Sequence, residues 1–88
     1  MEGTALGRII AKVAVARAVY AIDRPYDYLV GEELARRLRP GMRVLVPFGA
    51  GNRGSDGMVL SIREEGMTGP VLKEILAPLD EEPVLSPK

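Results

Sequence analysis

The stretch Arg39-Pro40-Gly41-Met42-Arg43-Val44-Leu45-Val46-Pro47-Phe48-Gly49 decides the reading of this chain. Pro40-Gly41 is a turn dipeptide. Val44, Val46 and Phe48 alternate with Arg43, Leu45 and Pro47, which is the period of a strand. Pro47 cannot donate to a ladder, so this end of the strand lies at an edge or an exit. Gly49 permits backbone angles, or a close approach, that a side chain would block. A strand ending in Pro-Phe-Gly brings an aromatic ring and bare backbone to one place, which suits the reception of a ligand.

Upstream, Gly31-Glu32-Glu33-Leu34-Ala35-Arg36-Arg37-Leu38 predicts a short helix, with acids at its start and arginines at its end to match the macrodipole. Leu34 and Leu38 share a face at i, i+4, and Pro40-Gly41 stops it. Two turns need tertiary contacts to persist. Tyr26 to Val30 reads as a short aromatic and β-branched strand, set off by Asp23-Arg24-Pro25, where Pro25 steers Arg24 away from helix. Ile9 to Tyr20 is rich in Val, Ile and Ala and reads as a strand, with helix left open by its alanines. Downstream, the glycine-rich run Gly49 to Gly57 predicts a hairpin loop. Met58, Leu60 and Ile62 predict one face of a strand, Glu64 to Pro70 a second loop, and Val71 to Leu76 a last strand. Short strands separated by Gly/Pro turns indicate a mainly β fold. We expect a single small barrel or sandwich of about five to six strands with one short helix. A flexible tail is expected over residues 1–10, the β domain over 11–78, and the start of a linker over 79–88.

The 88 residues suffice for one domain, burying roughly 60–65% of the unfolded surface. A hydrophobic content of 47% with 27% charged residues is globular rather than disordered. The chain has no Cys and no His, so disulfides, thiolate metal sites and the commonest general base are excluded. Ser55, Ser61 and Ser86 therefore have no His to activate them, and an enzyme acting alone is not expected. Gly49-Ala50-Gly51-Asn52-Arg53-Gly54 fits Gly-x-Gly-x-x-Gly, but it leads into loop residues rather than a helix, so it reads as a hairpin. Glu64-Glu65 and Glu81-Glu82 lack metal-site spacing and read as solvated. No apolar run approaches a membrane span, the first residues do not resemble a signal peptide, and the cytoplasm is expected.

Net charge is zero, which argues against affinity built mainly on phosphate neutralisation. Its distribution is uneven. Nine basic and five acidic residues precede position 54, a balance of +4, and three basic and seven acidic residues follow, a balance of −4. Arg36, Arg37, Arg39 and Arg43 form either a solvated helix end or a basic patch for a polyanion. Tyr26-Asp27-Tyr28 places two rings on one face of a strand and a carboxylate on the other. Asp is depleted in strands, so Asp27 is either an exposed edge or turn cap, or an acceptor for a ligand hydroxyl or amine. The tyrosines are either core or stacking platforms for bases. Lys73 is either an edge guard or a point charge for a phosphate.

The order Asp-Tyr, Pro-Gly-x-Arg-Val-x-Val-Pro-Phe-Gly, Gly-x-Val and Leu-Lys-x-Ile resembles the N-terminal domain of bacterial replication-restart helicases of the PriA (primosomal protein N′) family, from about Ala11 to Leu85. The resemblance implies a module that binds the 3′ end of a DNA strand at an arrested fork. Its binding residues would be Tyr26, Asp27, Tyr28, Gly49 and Lys73. Tyr26 stands where many relatives have Phe. A terminal 3′-hydroxyl both donates and accepts, so the Asp27 carboxylate can take its proton in a charge-assisted bond and repel a blocked 3′-phosphate. Gly49 would admit the sugar and Lys73 the last phosphate, with Arg36, Arg37 and Arg43 tracking the strand. Affinity on the order of micromolar is expected for one nucleotide, raised by tethering to the helicase. The family implies an ATP-dependent 3′-to-5′ helicase whose ATP, Mg and Zn sites lie in parts outside this fragment. Single-strand-binding protein and primosome proteins are implied partners, on a bacterial nucleoid. Two other readings are a protein-interaction barrel for those partners and an RNA-binding small barrel.

Overall fold

The computed structural model describes residues 7–16, 24–66 and 69–82. Its elements are β1 (Gly7–Val15), β2 (Tyr26–Leu29), α1 (Glu32–Ala35), β3 (Arg43–Phe48), β4 (Arg53–Gly66) and β5 (Ala77–Pro78). They form one antiparallel sheet in the order β2-β1-β4-β3-β5. The segment 73–79 then crosses from β2 to β3. Lys73 O accepts from Leu29 N at 2.8 Å, and Ile75 N donates to Leu29 O at 3.0 Å. Leu76 N donates to Leu45 O and Leu79 N to Arg43 O, each at 2.8 Å. The crossing joins the two sides of the sheet and closes it into a small barrel. This is the mainly β architecture with one short helix expected from the strand periods.

The barrel is filled by inward side chains of alternating positions. Ala11, Val13 and Val15 come from β1, Tyr28 from β2, Val44 and Val46 from β3, and Val59 from β4. Val30, Leu38, Met42 and Ile75 complete the cluster. Each such Val, Ile or Leu contributes roughly 1.5–3 kcal/mol by leaving water. The helix is shorter than its pattern. The helix spans Glu32–Ala35; Arg36 keeps helical backbone angles as its C-cap, and a closing turn, in which Arg37 N and Leu38 N both donate to Leu34 O at 2.9 Å, carries Leu38 into the core beside Leu34. Gly31 caps it without a side-chain bond, so packing of the leucines, not capping, holds this turn. Among the described residues no helix is long and apolar enough to cross a membrane.

Several expected boundaries move. The tail expected over 1–10 gives way to strand at Gly7, because residues 7–10 pair with Arg63–Gly66 and Ile10 is 1% exposed. That pairing also turns the start of the expected loop 64–70 into the end of β4. The loop 49–57 contracts to residues 49–52, since Arg53–Gly57 pair with Val44–Phe48. Polar Ser55 and Asp56 fit there because β3 supplies a partner for every rung, and Ser55 and Gly57 face inward with Val59. Gly57 has no room for a side chain: a Cβ would stand 2.5 Å from Val13 Cγ1. The expected shared face of Met58, Leu60 and Ile62 is wrong. Lys12 pairs with Ser61 but Val13 with Val59, so Leu60 is a bulged residue, 44% exposed, and Val59 takes the inward position. The strand expected over 71–76 reduces to a bridge at Glu74 and the two residues of β5. Leu79 and Asp80, expected to begin a linker, are both bound to Arg43. Tyr20 lies outside the described residues.

Candidate nucleic-acid interface

One end of the barrel gathers three separate segments. The start of β2 brings Tyr26, Asp27 and Tyr28. The end of β3 brings Phe48 and Gly49, and the crossing segment brings Val71, Leu72 and Lys73. Together they line an open cleft of about 430 Å³. β2 and β3 are not neighbours in the sheet, so closure of the barrel is what makes them meet.

The two tyrosines divide their tasks. Tyr28 is 3% exposed and its hydroxyl donates to Pro47 O at 2.8 Å, tying β2 to the end of β3. Burial, with a smaller contribution from Tyr26, pushes this hydroxyl above its ordinary pKa, so it stays a donor. Tyr26 is 42% exposed and meets Phe48 edge-to-face, ring centroids 5.2 Å apart. Tyr26 therefore presents a supported aromatic surface in the cleft. Pro47 sits beyond the two rungs that β3 shares with β5, so its missing N–H costs nothing on that side.

Gly49 opens the four-residue turn, with φ of +83° and Asn52 N donating to its carbonyl at 3.0 Å. A Cβ on Gly49 would meet nothing within 4 Å, so the left-handed backbone rather than crowding selects glycine. Its carbonyl accepts from Lys73 Nζ at 3.3 Å. That bond uses one of three ammonium donors, and Lys73 is anchored through its own carbonyl to Leu29. Val71, wholly exposed, and half-buried Leu72 form an apolar lip beside it.

Asp27 lines the cleft and is also bound from another side. Arg63 Nη2 donates to Asp27 Oδ2 at 3.0 Å and Nη1 to Oδ1 at 3.3 Å. Arg63 Nε donates to Glu65 Oε2 at 2.6 Å. These bonds, that to Asp27 first, raise the guanidinium pKa further above its usual value.

Residues 12–88 match the family model described as the 3′ DNA-binding domain (3′BD). The chain belongs to the 3′ DNA-binding domain family of PriA. The Replication restart protein PriA of Bacillus subtilis (strain 168) is 39% identical to it over 77 residues, covering 86% of this chain. Those residues span 9% of that protein's length. No solved structure matches significantly.

In this 3′ DNA-binding domain the five residues named from the sequence, Tyr26, Asp27, Tyr28, Gly49 and Lys73, all line the one cleft. The three arginines do not. Arg36 and Arg37 lie exposed beyond α1. Arg43 stands at the opposite end of β3 from Phe48, about 17 Å away at strand rise. Its guanidinium is engaged by Asp80, Nη2 to Oδ1 at 2.9 Å, while Asp80 Oδ2 accepts from Arg43 N at 2.8 Å. Those two bonds hold the Asp80 carboxyl below its usual pKa. Arg43 thus serves the seam of the barrel, not the cleft. Arg63, Val71 and Leu72 were missed. Arg63 follows Ile62 at what reads as a strand end, and nothing in that context points to a carboxylate 36 positions earlier. Glu65, read as solvated, is the second partner of Arg63.

Proposed function

We propose that this domain receives the last nucleotide of a DNA strand in the cleft and distinguishes a free 3′ end from the interior of a strand. The observation that carries the reading is the convergence of an aromatic face, a carboxylate, a glycine backbone and a lysine at one small opening. At about 430 Å³ the cleft lies low in the range of roughly 300–1,000 Å³ of ligand sites, suited to one nucleotide. Tyr26, braced by Phe48, offers a base a surface that is indifferent to base identity. Lys73 retains two donors for the terminal phosphate. Asp27 accepts the 3′-hydroxyl proton through a lone pair left free by Arg63, and its charge disfavours a 3′-phosphate.

Zero net charge and a single-nucleotide site imply weak binding, on the order of micromolar. Within a longer restart helicase of the 3′-to-5′, ATP-dependent kind, tethering raises the effective concentration of the end. In that setting the domain selects the terminus while other parts hold the DNA. Single-strand-binding protein, primosome proteins and a cytoplasmic, nucleoid-associated location belong to the same reading. The test is titration with labelled single strands ending in 3′-hydroxyl or 3′-phosphate. A preference for hydroxyl, lost in Asp27→Ala, is expected. Equal binding to both ends refutes end recognition, and no binding at all favours a protein-interaction barrel.

A further inference from the structure

We infer that Arg63 is a positioning residue for Asp27: it fixes the carboxylate in the orientation that makes it selective for a 3′-hydroxyl. The inference rests on the reading of the cleft as a 3′-end site. Arg63 does not line the cleft. It reaches from β4 past β1 to β2 and grips both oxygens of Asp27 in a fork at 3.0 and 3.3 Å. Its own plane is set by the third bond, Nε to Glu65. Among the described residues Lys12 stands directly across from Asp27 in register, yet makes no hydrogen bond to it. The carboxylate is thus held by a two-pronged partner rather than by the nearest point charge.

Stability does not account for this arrangement. Both side chains of the pair are 36% exposed, and ion pairs at such exposure contribute little to folding. Geometry is what a bidentate contact adds. Each carboxylate oxygen has two lone pairs, so the fork occupies one on each and leaves one on each for a ligand. An Asp free to rotate would have to be ordered when the strand end binds. Ordering one side chain weakens binding by about threefold to tenfold. Only the ligand that uses the carboxylate suffers this loss.

The experiment measures two affinities for the folded chain, one for a strand ending in 3′-hydroxyl and one for the same strand ending in a 2′,3′-dideoxynucleotide. Their ratio isolates the hydroxyl. In Arg63→Gln we expect the ratio to fall about threefold to tenfold, with binding of the dideoxy strand changed less than about twofold. Arg63→Lys restores charge without the fork and is expected to fall likewise. Glu65→Gln is expected to give a smaller fall in the same direction. Thermal midpoints should move by less than about 4 °C. An unchanged ratio in Arg63→Gln overturns the positioning role and leaves the cleft reading intact. A raised ratio overturns it too, because Arg63 would then compete with the ligand for Asp27. Parallel loss of both affinities overturns it by making Arg63 a general electrostatic contact. If the wild-type ratio is one, the cleft reading itself fails and the role of Arg63 falls with it.

Discussion

Replacing Tyr28 by Phe and Tyr26 by Ala should produce opposite phenotypes. Tyr28→Phe keeps the ring in the core and removes only the hydroxyl that bonds Pro47 O at 2.8 Å. Pro47 is buried, so its carbonyl loses its partner where water does not readily replace it. An unsatisfied buried acceptor costs about 1–3 kcal/mol. For a domain of this size each 1 kcal/mol lowers the thermal midpoint by about 4–8 °C. Tyr28→Phe should therefore melt at least about 4 °C lower while binding a 3′-hydroxyl strand almost normally at 15 °C. Tyr26→Ala removes a half-exposed ring. It should change stability by about 0.5–1.5 kcal/mol through the lost contact with Phe48. Affinity should fall by about 1–3 kcal/mol, the worth of one stacked base. Urea unfolding followed by circular dichroism and anisotropy titration on the same samples give both quantities, with an unchanged m-value as the check that compactness is preserved. A Tyr28→Phe variant that melts at the wild-type temperature would refute the assignment of that hydroxyl. A Tyr26→Ala variant with full affinity would refute the aromatic platform.

Lys73→Ala should weaken binding of single strands and reduce the slope of log K against log salt by about 0.7, the contribution of one neutralised phosphate; an unchanged slope excludes Lys73 from phosphate contact. Gly57→Ala should destabilise by about 1–3 kcal/mol through overpacking against Val13, measured by chemical denaturation. Asp80→Asn should flatten the acid limb of stability. The folded carboxyl lies below its ordinary 3.8, so its contribution is present above that value and is lost as pH falls through the lower folded one. Wild type and Asp80→Asn should therefore differ at about pH 6 and draw together as the pH falls below the ordinary carboxylate value of 3.8, as followed by thermal melts across pH.

What could be read from the chain was local. Pro40-Gly41, the Val44–Val46 alternation and the Pro-Phe-Gly ending define β3 through properties of adjacent residues. Tyr26, Asp27, Gly49 and Lys73 were legible as chemistry through an ordered set of motifs. Features that depend on a partner strand were not legible. The bulge at Leu60 arises from the register between β1 and β4, and it alone decides that Val59, not Leu60, is buried. The reach of β4 to Gly66 depends on Gly7–Ile9 offering rungs. Arg63 finds Asp27 only because β1 lies between β2 and β4. The placement of Arg43 at Asp80 likewise needed the path of the chain after β5. In each case the deciding neighbour lies more than thirty positions away.

The crossing at 73–79 carries two duties on one short peptide: it stitches the barrel shut through Leu29, Leu45 and Arg43, and it delivers Lys73 to the opening. Occupancy of the opening should therefore be felt as protection of the amides of Leu29, Ile75 and Leu76 against exchange with deuterium. A protein engineer cannot loosen one duty without the other, so libraries that vary this peptide will tend to trade cohesion against grip, whereas the turn at 49–52 can be lengthened on its far side with far less disturbance.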